Sequence, residues 1–297
     1  MARLARDAVR VQVPATSANL GPGFDSLGIA LEIRDDISVR ATTGITHVTV
    51  DGSGSGALPE GEDHLVVRAI RAGLDYAGAP QAGLELHCRN RIPHGRGLGS
   101  SAAAVVAGLV AARGLVDDPA ALDDDAVLAL ATEFEGHPDN AAPAIHGGAT
   151  VAWTEREGPR AARLDVGDHV RPTVLVPPGE LLTGKARAGL PRQVPHEDAA
   201  FTAGRSALLV LALATRGDLL LPATEERIHQ RQRAVVMEES LRVLDTLREL
   251  GLPAVVSGAG PSVLVLTRAG EAQVATFIRH GWQVHTPDVA QHGARLV

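Results

Sequence analysis

The chain of 297 residues contains one cysteine, Cys88. That excludes a disulfide framework and any zinc site built on several thiolates. Aromatic residues are only 2% of the sequence. Base-stacking platforms and aromatic cages are therefore excluded, and the core must be built from Ala, Val and Leu. Basic charge is in deficit: 28 Lys and Arg stand against 35 Asp and Glu, a net charge of −7. A nucleic-acid partner held by a basic face does not fit that balance. No apolar run reaches the roughly 18 residues of a membrane helix. The run Ala102 to Ala112 is too short and is interrupted by Gly108. The N-terminus, MARLARDAVRVQV, has no long apolar h-region and no small-residue cleavage site. No signal peptide is read, no membrane partner is expected, and the expected compartment is the cytoplasm.

What remains is an ordinary soluble composition, 45% hydrophobic and 21% charged. The length suits one large domain or two intimate lobes. Val9, Val11 and Val13 alternate as a strand that Pro14 is expected to stop. A second strand is expected around Ile37 to Val50. Asp63 to Tyr76 has helical spacing, and Leu84, Leu86 and Cys88 alternate as a strand. The small residues after Ser101 form a helix expected to pack tightly, and Asp123 to Phe134 forms another. Residues 155 to 170 are polar and mark a soft lobe boundary. Beyond it come the strand PTVLV, helices over Ala199–Thr215 and Val235–Leu250, strands AVVSG and SVLVLT, a helix from Glu271 and a strand near Trp282. Strands and helices mix, with adjacent strands joined by tight turns, so the expected class is α+β.

Four segments carry chemistry. Pro93 to Ala103, PHGRGLGSSAA, lies between a strand and the small-residue helix. Gly95, Gly97 and Gly99 let the backbone approach a bulky anion, and the helix N-terminus offers it free N–H groups. Ser100 and Ser101 add hydroxyls for phosphate or Mg²⁺. The glycine spacing fits neither a Walker A loop nor a dinucleotide fingerprint. Pro14 to Leu31 places Asn19 and Asp25 among glycines, where unusual backbone geometry is permitted. Val255 to Leu266 sets Gly258, Gly260 and Pro261 between two apolar runs. Glu135 to Asn140, EGHPDN, clusters a carboxylate, an imidazole and an amide. Taken singly, each is also explained by turns and helix caps.

In this order and spacing, the segments resemble the three motifs of the GHMP kinases, and the resemblance covers essentially the whole chain. The middle motif marks the superfamily. PATSANLGPGFD, EGHPDN with AAPAIHGG, and TGKAR at 183–187 take the form seen in its homoserine kinase branch. Galactokinases and mevalonate kinases carry a different first motif, with a Gly-Glu-His that is missing here. The resemblance implies an N-terminal lobe like the second domain of ribosomal protein S5 over residues 1–160. It implies a ferredoxin-like C-terminal lobe over 161–297, with ATP in the cleft between them.

The implied reaction is phosphoryl transfer from ATP to the side-chain hydroxyl of L-homoserine, a step of threonine biosynthesis. The implied ATP contacts are Pro93, His94, Gly95, Arg96, Gly97, Leu98, Gly99, Ser100, Ser101, Ala102 and Ala103. Glu135 and a serine of the pair, assigned as Ser101, would hold Mg²⁺. Asn19, Asp25, His137, Asn140, Thr183, Arg187 and Arg233 would bind homoserine, with Asp25 and Glu135 as the catalytic pair. The segment around 230 departs from the family pattern: it reads Glu226, Ile228, His229, then Arg231-Gln232-Arg233, without the usual tyrosine. Arg231 and Arg233 both stay open as carboxylate ligands. Competing readings are a GHMP kinase for another small alcohol and a non-catalytic, ligand-binding relative. The form of the first motif opposes the former. The intact Asp25, Glu135 and serine pair oppose the latter. A homodimer stays open.

Overall fold

The computed structural model describes residues 3–181 and 183–297. In chain order the elements are β1 (Ala8–Ala18), β2 (Leu27–Thr42), β3 (His47–Gly52), α1 (Leu65–Tyr76), β4 (Gly83–Asn90), α2 (Ser100–Leu115), α3 (Asp124–Glu135), α4 (Ala141–His146), β5 (Ala149–Glu155) and β6 (Gly158–Leu164). They continue as β7 (Thr173–Val176), α5 (Thr183–Ala188), α6 (His196–Ala214), α7 (Leu220–Ala223), α8 (Ala234–Glu249), β8 (Ala254–Val256), β9 (Val263–Val265), α9 (Glu271–Arg279), β10 (Gln283–His285) and β11 (Arg295–Leu296). Sheets and helices mix as the α+β expectation holds. No described helix is long and apolar enough to cross a membrane.

The first sheet runs β11-β1-β2-β4-β3, with β5 on β2 and β6 on β5. Among the described residues, the β3–β4 pair is its only parallel one. Pro14 does not end β1. The register against β2 shifts between Pro14 and Ala15, whose partners are Arg34 and Leu31. A proline has no N–H for the ladder, so it is tolerated where a bulge breaks the pairing. The expected strand over 37–50 is two strands. The chain turns at residues 43–46, and β3 then pairs with β4 instead of β2. The polar stretch after 155 holds β6, an edge strand half-buried along most of its length. It therefore carries no period-two pattern.

Helix α2 is apolar all round and buried, as a central helix must be. Its small residues let α1 come close. A Cβ on Gly108 would lie 2.6 Å from the Ala69 Cβ, and one on Gly73 would lie 2.7 Å from the Ala112 Cβ. This packing fixes where the α2 N-terminus points.

The second sheet is antiparallel, in the order β10-β7-β9-β8. Alternation splits its short apolar strands between two cores. Val174, Val176, Val255 and Leu264 join the core of the first sheet. Leu175, Val256, Val263 and Val265 face Leu241, Leu244, Leu247 and Phe277 of α8 and α9. β7, β8 and β9 are buried throughout, so the sequence shows unbroken apolar runs there. The chain then returns: β11 pairs with β1, and Glu32 of β2 donates its N–H to Asp288.

Candidate active site

The three glycine-bearing segments meet at one cleft of about 370 Å³. Gly97 has φ of 74°. A Cβ there would lie 2.4 Å from the Ser257 carbonyl oxygen and 2.6 Å from that of Gly260. Only glycine fits against the β8–β9 turn. The Ser257 hydroxyl lies 2.6 Å from the Gly97 carbonyl and 2.8 Å from the Ser17 hydroxyl. Asn19 donates its amide to the Gly258 carbonyl at 2.8 Å, and Gly258 donates its N–H to Ala18. Gly99, with φ of 67°, sits under Thr16, whose Oγ1 would lie 1.9 Å from a Cβ. Thr16 in turn donates to Asn140 Oδ1 at 2.9 Å. The segments are thus one interlocked structure rather than three separate loops.

Gly99 is the N-cap of α2 and supplies no side-chain acceptor. The first-turn N–H groups and the positive end of a 16-residue helix face the cleft, a site suited to phosphate. Ser101 donates its hydroxyl to Glu135 Oε1 at 2.5 Å. Glu135 ends α3, where Gly136 in the left-handed region turns the chain toward His137. Among the described residues no group of three or more His, Cys, Asp or Glu could hold a metal ion.

The cleft also holds a strongly charged group of side chains. Asn19, Leu20 and Asp25 all have positive φ, at 69°, 47° and 54°. Such geometry is costly for residues with side chains. Asn19 Oδ1 holds it by accepting the Asp25 N–H at 2.9 Å. Arg187, on α5, forks onto the Asp25 carboxylate with bonds of 2.6 and 3.2 Å. Arg233 is only 2% exposed. Its Nη1 lies 3.1 Å from His229 Nδ1 and 3.4 Å from the Gly258 carbonyl, and its Nε donates to Ala186. Burial, then the charge of Arg187, lowers the Arg233 pKa.

His229 Nε2 lies 2.6 Å from the Gly21 carbonyl. Its Nδ1 then accepts from Arg233, which fixes the neutral tautomer. Burial holds its pKa down. Phe24 stacks on the His229 ring at 4.8 Å, and both arginines lie within 6 Å of the Phe24 ring centre. Glu226 caps this turn, accepting the N–H groups of Ile228, His229 and Gln230. His137 Nδ1 lies 2.5 Å from the buried Asp139 carboxylate. That bond raises its pKa against the opposing effect of burial.

The expected residues distribute unevenly. Asn19, Asp25, His94, Gly95, Gly97, Gly99, Ser100, Ser101, Glu135, His137, Asn140, Arg187 and Arg233 line the cleft. Arg231 does not: it pairs with Asp245 on the surface. Leu98, Ala102 and Ala103 are buried in the core, and Arg96 turns its side chain toward Pro177 and Pro178. Pro93 borders the loop without lining the cleft. The Thr183 side chain lies outside the described residues. Sequence reasoning passed over Asp139 and Phe24 and gave Glu226 no role as a cap. Asp139 stood inside EGHPDN, and Glu226 stood inside the departing segment.

A smaller cavity of about 130 Å³ adjoins the glycine loop, sharing His94, Ser100 and Ser101 with the cleft. Its walls include Ile37, Leu58, Leu65, Val66, Ile92 and Ala104, with Asp35 at one side. Asp35 Oδ1 accepts the N–H groups of Arg91 at 2.6 Å and Ile92 at 2.9 Å. Burial nevertheless pushes its pKa up to about 6.

Residues 64–148 match the family model of the GHMP kinases N terminal domain, and residues 208–282 match that of the GHMP kinases C terminal. The homoserine kinase of Streptomyces avermitilis is 51% identical over 292 residues, covering 98% of this chain and 96% of that protein. The homoserine kinase of Mycobacterium tuberculosis is 50% identical over 265 residues, covering 87% and 84%. Among solved structures, homoserine kinase from Cytophaga hutchinsonii superposes with a TM-score of 0.86 at 27% identity, covering 99% of this chain and 98% of that one. A mevalonate kinase at 14% identity shares the fold, with a TM-score of 0.70 over 96% of this chain and 100% of its own. With two curated relatives at half identity, both family models matched and the motif residues gathered at one cleft, the chain belongs to the GHMP kinases, in the homoserine kinase branch.

Proposed function

We propose that the protein transfers the γ-phosphoryl group of ATP to the side-chain hydroxyl of L-homoserine, giving ADP and O-phospho-L-homoserine in cytoplasmic threonine biosynthesis. One observation carries the choice of acceptor. In a phosphate-suited cleft, one carboxylate (Asp25) and two guanidinium groups (Arg187 and Arg233) come together. That arrangement complements an amino acid, with ammonium to Asp25 and carboxylate to the arginines. The Asp25–Arg187 pair opens to a zwitterion without loss of charge balance, because each partner exchanges one counter-ion for another.

ATP is the co-substrate of this family. The apolar cavity beside the loop suits its base, and the α2 N-terminus with Gly97 and Gly99 suits the phosphates. The donor set fits Mg²⁺: a hydroxyl and a carboxylate, both hard oxygen ligands, meet at the phosphate end. Ser101 and Glu135 would hold the ion, which would supply neutralising charge to the transferred group. Residues 1–160 are then the ATP-binding lobe, and 161–297 bring Arg187 and Arg233 to it.

Phosphoryl transfer is mostly positioning plus charge stabilisation. The α2 N–H groups stabilise phosphate oxygens. Asp25 anchors the ammonium and so sets the hydroxyl. The Asp139 carboxylate orients the His137 ring, leaving Nε2 for the substrate or phosphate. A loose transition state needs little early proton removal, so an ion-paired Asp25 has no heavy basic task. The test is ADP release with a panel of alcohols. Stimulation by L-homoserine above mevalonate, galactose and L-serine is expected. Equal stimulation by another alcohol would overturn the assignment.

A further inference from the structure

Arg96 sits in the middle of the nucleotide loop, yet its side chain leaves the cleft. It is mostly buried, and its Nε donates to the Pro177 carbonyl at 3.0 Å. Its Nη2 donates to the Pro178 carbonyl at 2.7 Å. Its Nη1 lies 3.2 Å from Glu180 Oε1 and 3.3 Å from the His94 carbonyl. The backbone reinforces the contact: Leu181 donates its N–H to Gly95, and Ser262 donates its N–H to Arg96. Residues 177–181 follow β7 and precede α5, which carries Arg187, in the chain. A guanidinium can serve several acceptors in one plane, and an ammonium on a flexible stem cannot copy that fork.

We infer that Arg96 is a positioning residue for the amino-acid site, although its sequence position assigns it to ATP. It fixes the strap 177–181 against the nucleotide loop and so fixes where α5 presents Arg187. Triphosphate that orders the loop thereby also orders the carboxylate ligand, so the two substrate sites share one support. This inference rests on the proposed reading of Arg187 as a homoserine ligand.

The experiment uses the full chain with Arg96→Met and Arg96→Lys. Both substrates are titrated, and amide hydrogen exchange is followed over residues 179–190. A homoserine KM raised roughly tenfold is expected, the scale of one hydrogen-bonded charge. The ATP KM should stay within about twofold on the same ground, since no phosphate contact is removed. Exchange over 179–190 should quicken in both variants, and Glu180→Gln should shift the homoserine KM in the same direction by less. A raised ATP KM with an unchanged homoserine KM would make Arg96 a phosphate ligand and overturn the inference. So would unchanged exchange over 179–190. If the wild-type protein is not stimulated by homoserine but exchange still quickens, the substrate reading fails and the clamp stands.

Discussion

Replacing Arg233 with lysine keeps a positive charge but removes the fork. In the structure that fork is already partly engaged: Nη1 serves His229 and Gly258, and Nε serves Ala186. Lysine reaches one of these acceptors at a time and gives up bidentate contact with a substrate carboxylate. A hydrogen bond to a charged group is worth about 1.5–3 kcal/mol. The homoserine KM should therefore rise about ten- to a hundredfold, with the ATP KM little changed. Stability should fall as well, because His229 Nδ1 is buried and loses its donor. The control is Arg231→Lys. Arg231 pairs with Asp245 with both side chains 40% exposed or more, and such a pair contributes about 0–1 kcal/mol. Titration of both substrates against each variant, with melting temperatures alongside, decides the matter. A homoserine KM that rises in Arg231→Lys and not in Arg233→Lys would refute the assignment.

Glu135→Gln should lower kcat by about a hundredfold or more while the melting temperature stays near wild type, because it removes the charge proposed to hold Mg²⁺ from a half-buried helix end; near-normal turnover would count against the proposed Ser101–Glu135 metal pair. Asp35→Asn should stabilise the protein at pH 7.5. Native Asp35 has its pKa raised from 3.8 to about 6, so stability is lost as pH rises through that window, roughly 3 kcal/mol in full. Asparagine keeps the acceptor for Arg91 and Ile92, and its advantage should vanish below about pH 4 in urea titrations at several pH values. Gly97→Ala should cost several kcal/mol and abolish turnover, since a Cβ would meet two backbone oxygens at 2.4 and 2.6 Å; a wild-type melting temperature would contradict the contact.

Much of this site was legible because its chemistry is local. A glycine loop ahead of a small-residue helix predicts a bare helix N-terminus, and Ser101 and Glu135 follow from short motifs at element ends. Whatever depended on distant contacts was not legible. Whether Arg231 or Arg233 enters the cleft turns on a tight single turn over 231–233, which sends the two side chains to opposite sides. Arg96 lies where a phosphate ligand would be expected, and only the return of residues 177–180 in three dimensions claims it. The strand through Pro14 needed a bulge opposite it on β2. The β5–β6 hairpin needed knowledge of which edge is half-solvated. The apolar runs of β8 and β9 marked them as strands, but not the second core behind their sheet.

The most direct test of the whole account is ADP formation from ATP and Mg²⁺, measured with and without L-homoserine, with the phosphorylated product identified by mass. The account predicts strong homoserine stimulation, one O-phosphohomoserine formed per ADP, and loss of that stimulation in Asp25→Asn. ADP release that is indifferent to homoserine, or phosphate delivered only to water, would contradict it.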